Sequence, residues 1–195
     1  MDRRLLLLSV LTVCIASAAR AQSDASVTDR FHYAMDSDIV AFHASQNAAE
    51  SVQDASQELA HLHADDTRDV VQYYADKARN KMRGVDAVLQ QAEDEAGWAQ
   101  WWADQAGCSD AESHAANAVD DIHEVRGTWM EALNKLAQGT GDEDKDVLIG
   151  YLTVAYNDIK EGIDTLVDGV QKLETARIDL KSCYPSAFSS DDSGN

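Results

Sequence analysis

Proline is almost missing from this chain: one residue in 195, Pro185, close to the C-terminus. With no internal proline to remove a backbone donor, long uninterrupted helices are open to the chain. Phenylalanine occurs only three times, and the large aliphatics are thin beside alanine. Low hydrophobicity joined to high net charge approaches the composition of disordered segments, but apolar residues recur at helical spacing and alanine is the strongest helix former. No Asn-x-Ser/Thr acceptor occurs, so N-glycosylation is not expected. No serine stands in a G-x-S-x-G elbow and no glycine-rich loop follows a strand, which removes the familiar routes to nucleophilic catalysis and phosphate binding. Beyond the first residues no run of about 18 apolar positions appears, and the C-terminus lacks the apolar tail of a lipid-anchor signal.

What is present begins with an address. Asp2-Arg3-Arg4, an apolar run from Leu5 to Ile15 and small residues ending in Ala19-Arg20-Ala21 have the form of a secretory signal cleaved before Gln22. A secreted, extracellular and soluble mature protein is therefore expected, with residues 1–21 removed, a bundle domain over 22–184 and a disordered Ser- and Asp-rich tail over 185–195. Cleavage removes Cys14 and leaves Cys108 and Cys183, which in an oxidising compartment have a single pairing. The full chain carries a formal net charge of −19. Such a surface repels nucleic acid and anionic lipid, keeps the protein soluble and, where charge selects partners, favours cations or basic proteins.

Heptad-like spacing marks four helices. The first runs from Val27 to about His63, with Phe31, Met35, Ile39, Phe42, Ala49, Val52, Ser56, Leu59 and Leu62 on its inner face and a weak middle at Ser45, Ala48 and Ala49. The second starts near Asp65-Asp66 and reaches Ala106, through Val71, Tyr74, Ala78, Val85, Val88, Ala92, Ala99 and Trp102, with Gly107 as its C-terminal cap. Ser109-x-x-Glu112 has the form of a capping box for the third, whose seam is Ala111, Ala115, Ala118, Ile122, Val125, Trp129, Ala132 and Leu136. After Gln138-Gly139-Thr140-Gly141-Asp142-Glu143 comes the fourth, about Asp144 to Ser182, with Leu148, Leu152, Ala155, Ile159, Ile163, Leu166, Val170, Leu173 and Leu180 inward. Gly150, Gly162 and Gly169 lie inside it, each costing ~1 kcal/mol relative to Ala, and mark close helix contact or local softness. The fold class is thus all-α, an antiparallel up-down-up-down four-helix bundle in which Cys108 and Cys183 meet at one end; fusion of the first two helices into a three-helix version is the alternative.

Candidate chemistry is sparse. Glu58-x-x-His61, loosely echoed by Asp120-Asp121-Ile122-His123, has the spacing of di-iron bundle ligands, but the two histidines fall at different heights and no inward glutamate completes the set, so solvent-facing histidines are the simpler reading. His61-x-His63 with Asp65 and Asp66 reads more simply as a solvated helix end than as a cation trap. Asp142-x-Asp144-x-Asp146 opens like a calcium loop and then fails, with Val147 where glycine is required and Thr153 where the bidentate glutamate belongs. Trp98, Trp101 and Trp102 should gather with Tyr184 and the cystine at one bundle end, as a plug or as a ligand surface; one helix cannot turn all three indoles into one seam, so at least one covers a groove or meets solvent. The expected function is non-enzymatic binding, without cofactor or bound metal, of a partner protein or a small apolar ligand at Trp98, Trp101 and Trp102. An acidic cation-binding (calcium) or matrix protein is the second reading and a metal-dependent bundle enzyme the third.

Overall fold

The computed structural model describes residues 26–63, 65–141 and 144–185. The expected leader, Cys14, nearly all of the tail, and Asp142 and Glu143 of the acidic loop lie outside the described residues. The described chain is helical: α1 (Val27–Ala60), α2 (Arg68–Lys81), α3 (Val85–Ala106), α4 (Ser109–Gly141) and α5 (Lys145–Cys183). These make four packed helical arms, because α2 and α3 together form one.

The split between α2 and α3 corrects the reading of one helix up to Ala106. Gly84 stands at φ 84°, a left-handed conformation available to glycine without a Cβ clash. Val85 N–H returns to Met82 C=O at 3.2 Å, closing a tight turn at the break. The core pattern nevertheless passes through it, since Val71, Ala75, Ala78, Met82, Val85, Leu89, Ala92 and Ala96 are all buried at unbroken three- and four-residue spacing. Fusion of the first two helices is also not what forms: α1 ends at Ala60, and Asp66 accepts His63 N–H at 2.8 Å in the loop before α2.

α1 starts at Val27 as expected, whereas the cap of α4 differs from expectation. Ser26 and Asp29 form a reciprocal capping box on α1, Ser26 Oγ accepting Asp29 N–H at 3.2 Å and Asp29 Oδ2 accepting Ser26 N–H at 3.1 Å. The box expected at Ser109-x-x-Glu112 is displaced: Cys108 C=O accepts the Glu112 N–H at 2.9 Å, and the Glu112 side chain takes the Gln100 amide at 3.5 Å.

Every arm presents two core positions per heptad, and one of the two is mostly small. On α1 the small position is Ala34, Ala41, Ala48 and Ala55, while the other holds Phe31, Asp38, Ser45, Val52 and Leu59. On α5 the small position is filled by Ala155, Gly162, Gly169 and Ala176, opposite Leu152, Ile159, Leu166, Leu173 and Leu180. The expected inner face of α1 through Ile39, Phe42 and Ala49 is therefore rotated by a residue, and on α5 Ile163 and Val170 flank the core that Gly162 and Gly169 enter. Small residues let helix axes come close, and large ones opposite fill the remaining volume.

The contacts step in opposite directions along neighbouring arms. Arg30 donates to Gln105 C=O at 2.8 Å, Asp54 meets Lys81 at 2.9 Å and Glu58 meets Lys77 at 2.9 Å. Between α3 and α4, Asp86 pairs with Arg126 at 2.6 Å and Glu93 with His123 at 2.9 Å. Between α4 and α5, His114 pairs with Asp179 at 2.8 Å, Asp121 with Lys172 at 2.6 Å and Lys135 with Asp158 at 2.6 Å. Each such pair contributes ~0–1 kcal/mol, so they fix register more than they stabilise. Cys108 and Cys183 are bonded with their Cα atoms 6.1 Å apart across 75 residues, a crosslink worth about 4 kcal/mol in the chain-entropy account.

The tightest approach is between α4 and α5. The Trp129 indole packs its Nε1 side against Gly162 and donates to Ile159 C=O at 3.3 Å; a Cβ on Gly162 would stand 2.8 Å from its Cδ1 and 2.9 Å from its Cε2. The indole is 1% exposed and has nowhere to retreat. Gly150, on the same helix, faces open space. Helix propensity alone would make alanine stabilising at both sites by ~1 kcal/mol. We expect Gly150→Ala to follow that rule and Gly162→Ala to lower stability by about 1–3 kcal/mol through overpacking, read as opposite shifts of the denaturant midpoint; a gain at both would contradict the packing described.

Candidate functional site

The three tryptophans of α3 follow from spacing along one helix. Trp98 and Trp101 are three residues apart and share a face, while Trp102 lies a further 100° round and turns inward. Trp102 is 8% exposed and joins Phe31, Ala34, Met35, Ala103, Cys108, Ala111 and Leu180 in a core cluster at the disulfide end. Phe31 stacks on Tyr184 with centroids 5.0 Å apart, so Tyr184 and the cystine do meet Trp102 there. Trp101 is half-buried against the same cluster, and Trp98 is 46% exposed.

The rings form a continuous chain across α3. Tyr33 of α1 lies 4.9 Å from Trp102, Trp102 lies 4.5 Å from Trp101, and Trp101 lies 6.1 Å from Trp98 at an interplanar angle of 90°. One end is anchored in the core and the other stands in solvent. Beside Trp98 and Trp101 is an open groove completed by Glu93, Asp94, Gly97 and Val119. A second shallow depression, lined by Ala87, Gln90, Gln91, Asp94, Glu95 and Trp98, continues it along α3. Glu93 is engaged with His123 and with Arg126 Nη1 at 3.4 Å.

Two other concavities lie away from the exposed indoles. Gly107, Ser109, Asp110, Asp179 and Ser182 surround a polar dip beside the disulfide. At the opposite end of α1, Leu59, Leu62, Ile149, Leu152 and Tyr156 line a largely apolar groove of about 380 Å³. Of these four concavities, the one with the most extensive apolar lining is thus remote from Trp98, Trp101 and Trp102.

The other sequence candidates are occupied by structural roles. Glu58 pairs with Lys77, and His61 caps α1 with its ring 5.5 Å from Tyr74. His123 faces Glu93. Asp144 accepts Asp146 N–H at 2.9 Å as the cap of α5, which accounts for the described part of the calcium-like run. Among the described residues no group of three or more His, Cys, Asp or Glu side chains is placed to hold a metal ion, and no described helix is long and apolar enough to cross a membrane.

Sequence reading missed Asp38. It is fully buried on α1, and neither carboxylate oxygen has a hydrogen-bond partner among the described residues. Burial pushes its carboxyl up to about 7, against a smaller opposing pull from Arg177, whose guanidinium rests on Phe42 at 4.9 Å. Ser45, one heptad further, is also buried with an unpartnered hydroxyl. The signal was available: counting by sevens from Phe31 toward Leu59 passes through both. A displaced carboxyl often marks catalysis, but Asp38 has no exposed surface through which to meet a substrate.

Comparison with protein families, with curated proteins and with solved structures returns no match for this chain.

Asp38 makes stability fall with pH. Below about pH 4 the group is protonated in both states and contributes nothing; as pH rises toward 7 the unfolded chain ionises while the fold resists, and above 7 the full cost is present. We expect Asp38→Asn to match the parent near pH 4 and to exceed it by a few kcal/mol, on the order of 2–4, at pH 8. Urea unfolding at both pH values checks this, and a pH-independent difference would show that Asp38 is not the group responsible.

Proposed function

We propose that this is a secreted, acidic, non-enzymatic protein that acts by binding a partner protein through the Trp98–Trp101 face of an up-down-up-down bundle. The opposed stepping of contacts between neighbouring arms supports that topology. The observation that carries the function is the exposure of Trp98, 46% open beside Trp101 while Trp102 is locked in the core. An indole held by packed neighbours and presented to solvent loses little side-chain entropy on binding, and buried tryptophans dominate many protein interfaces. The groove at the indoles is open rather than enclosed, which favours a protein surface over the small apolar ligand weighed from sequence; such a ligand would be better matched by the groove at Leu59 and Tyr156. Cation loading stays the alternative, with Asp144 already engaged as a helix cap.

A photo-crosslinking benzoylphenylalanine in place of Trp98, in protein recovered with the medium of cells that secrete it, is expected to give a discrete protein adduct. The same probe in place of Ile178, which is more exposed, serves as the control. Equal labelling from both positions, or none from 98, would count against a binding face at α3.

A further inference from the structure

The groove at Trp98 has a chemistry more specific than an apolar patch. Its two indole planes are perpendicular, with centroids 6.1 Å apart, and form two walls of a corner. Gly97 lines the same corner, and a Cβ there would meet nothing within 4 Å, so the floor is open. Asp94 sits one turn before Trp98 on the same face and borders both depressions. It is exposed and has no ion-pair or hydrogen-bond partner among the described residues, whereas Glu93 beside it is engaged with His123 and Arg126. Aromatic faces and a free carboxylate act on a cation in the same sense: the ring quadrupole attracts it and the carboxylate neutralises it. The chain's net charge of −19 adds a long-range attraction of that sign.

We propose that this corner receives the guanidinium of an arginine from a basic segment of the partner protein, a step that rests on the partner-binding reading above. Arginine fits better than lysine because its planar group stacks on an indole while its N–H fork reaches a carboxylate. The neighbouring depression, with Gln91 beside Asp94 and with Gln90, whose Oε1 already accepts from Arg126 Nη2 at 3.5 Å, offers the Gln91 amide to the backbone of an extended segment.

The test uses the full secreted chain and three capped octapeptides alternating glycine with arginine, lysine or glutamine, titrated calorimetrically at physiological ionic strength. The arginine peptide is expected to bind most tightly and the glutamine peptide not at all. Asp94→Asn should weaken binding by about fivefold or more. Asp168→Asn, which removes the same charge from an exposed site on α5, should leave it within about twofold. Gly97→Leu should abolish binding while the melting temperature holds or rises, since glycine is a poor helix former. Equal losses from the two aspartate variants would reduce the effect to diffuse charge and overturn the proposal, as would equal affinity for the glutamine peptide. If the adduct at position 98 forms but no arginine peptide binds, the cationic occupant is wrong and the binding face stands; if neither occurs, both fall.

Discussion

How closely two helices can pack is limited by the side chains between them, and in this protein that limit is set by alanine and glycine. The Trp129 indole against Gly162, held by its hydrogen bond to Ile159, is the tightest case. With few large aliphatics available, the chain does not fill wide gaps between helices. It narrows them, placing a small residue at one core position of each heptad and reserving Leu, Ile, Val and Trp for the other. Dispersion contacts recovered at short range stand in for part of the area that larger side chains would bury.

That economy shapes the surface as well. A seam lined by Ala92, Ala96, Ala99 and Ala103 has no room for three indoles on α3. Only Trp102 is admitted, at the disulfide end where Phe31, Leu180 and Tyr184 widen the packing. Trp101 is held halfway and Trp98 is left outside, joined to the core through ring contacts. The exposed indole is therefore tied to the core through Trp101 and Trp102, which suits the recognition role proposed for it. Asp38 and Ser45 occupy the same kind of core position and weaken α1 where they stand. Because an unpartnered buried carboxylate opposes folding when ionised, Asp38 makes the packing of α1 sensitive to pH.

Much of the fold was legible. The seam of α4 reads from Ala111 to Leu136 without a slip, because each core position there is apolar at unbroken three- and four-residue spacing. The pairing of Cys108 with Cys183 was also expected from the sequence, since the expected leader would take Cys14 and helices of similar length bring the other two to one end. The turn at Met82-Arg83-Gly84 was hidden because Met82 and Val85 keep the heptad spacing across it; only the glycine betrays the break. On α1 the reading placed Phe31, Met35, Ser45, Ala48, Val52 and Leu59 inward, as they are, but the larger Ile39 and Phe42 drew attention from Asp38 and Ala41 beside them. Hydrophobic size is a poor guide where close approach, rather than area, decides which residues are enclosed.

What the sequence by itself determined is the helical content, the bounds of most helices and the acidic composition, because these depend on local propensity, spacing and counting. Only the tertiary structure decided which of Trp98, Trp101 and Trp102 is a plug and which a surface, which glycines are pressed against a neighbour, and that Asp38 is sealed from water. Those outcomes turn on a rotation of about one residue around a helix axis. Such a rotation is set by the fit of facing side chains from other arms, and no single helix carries that information.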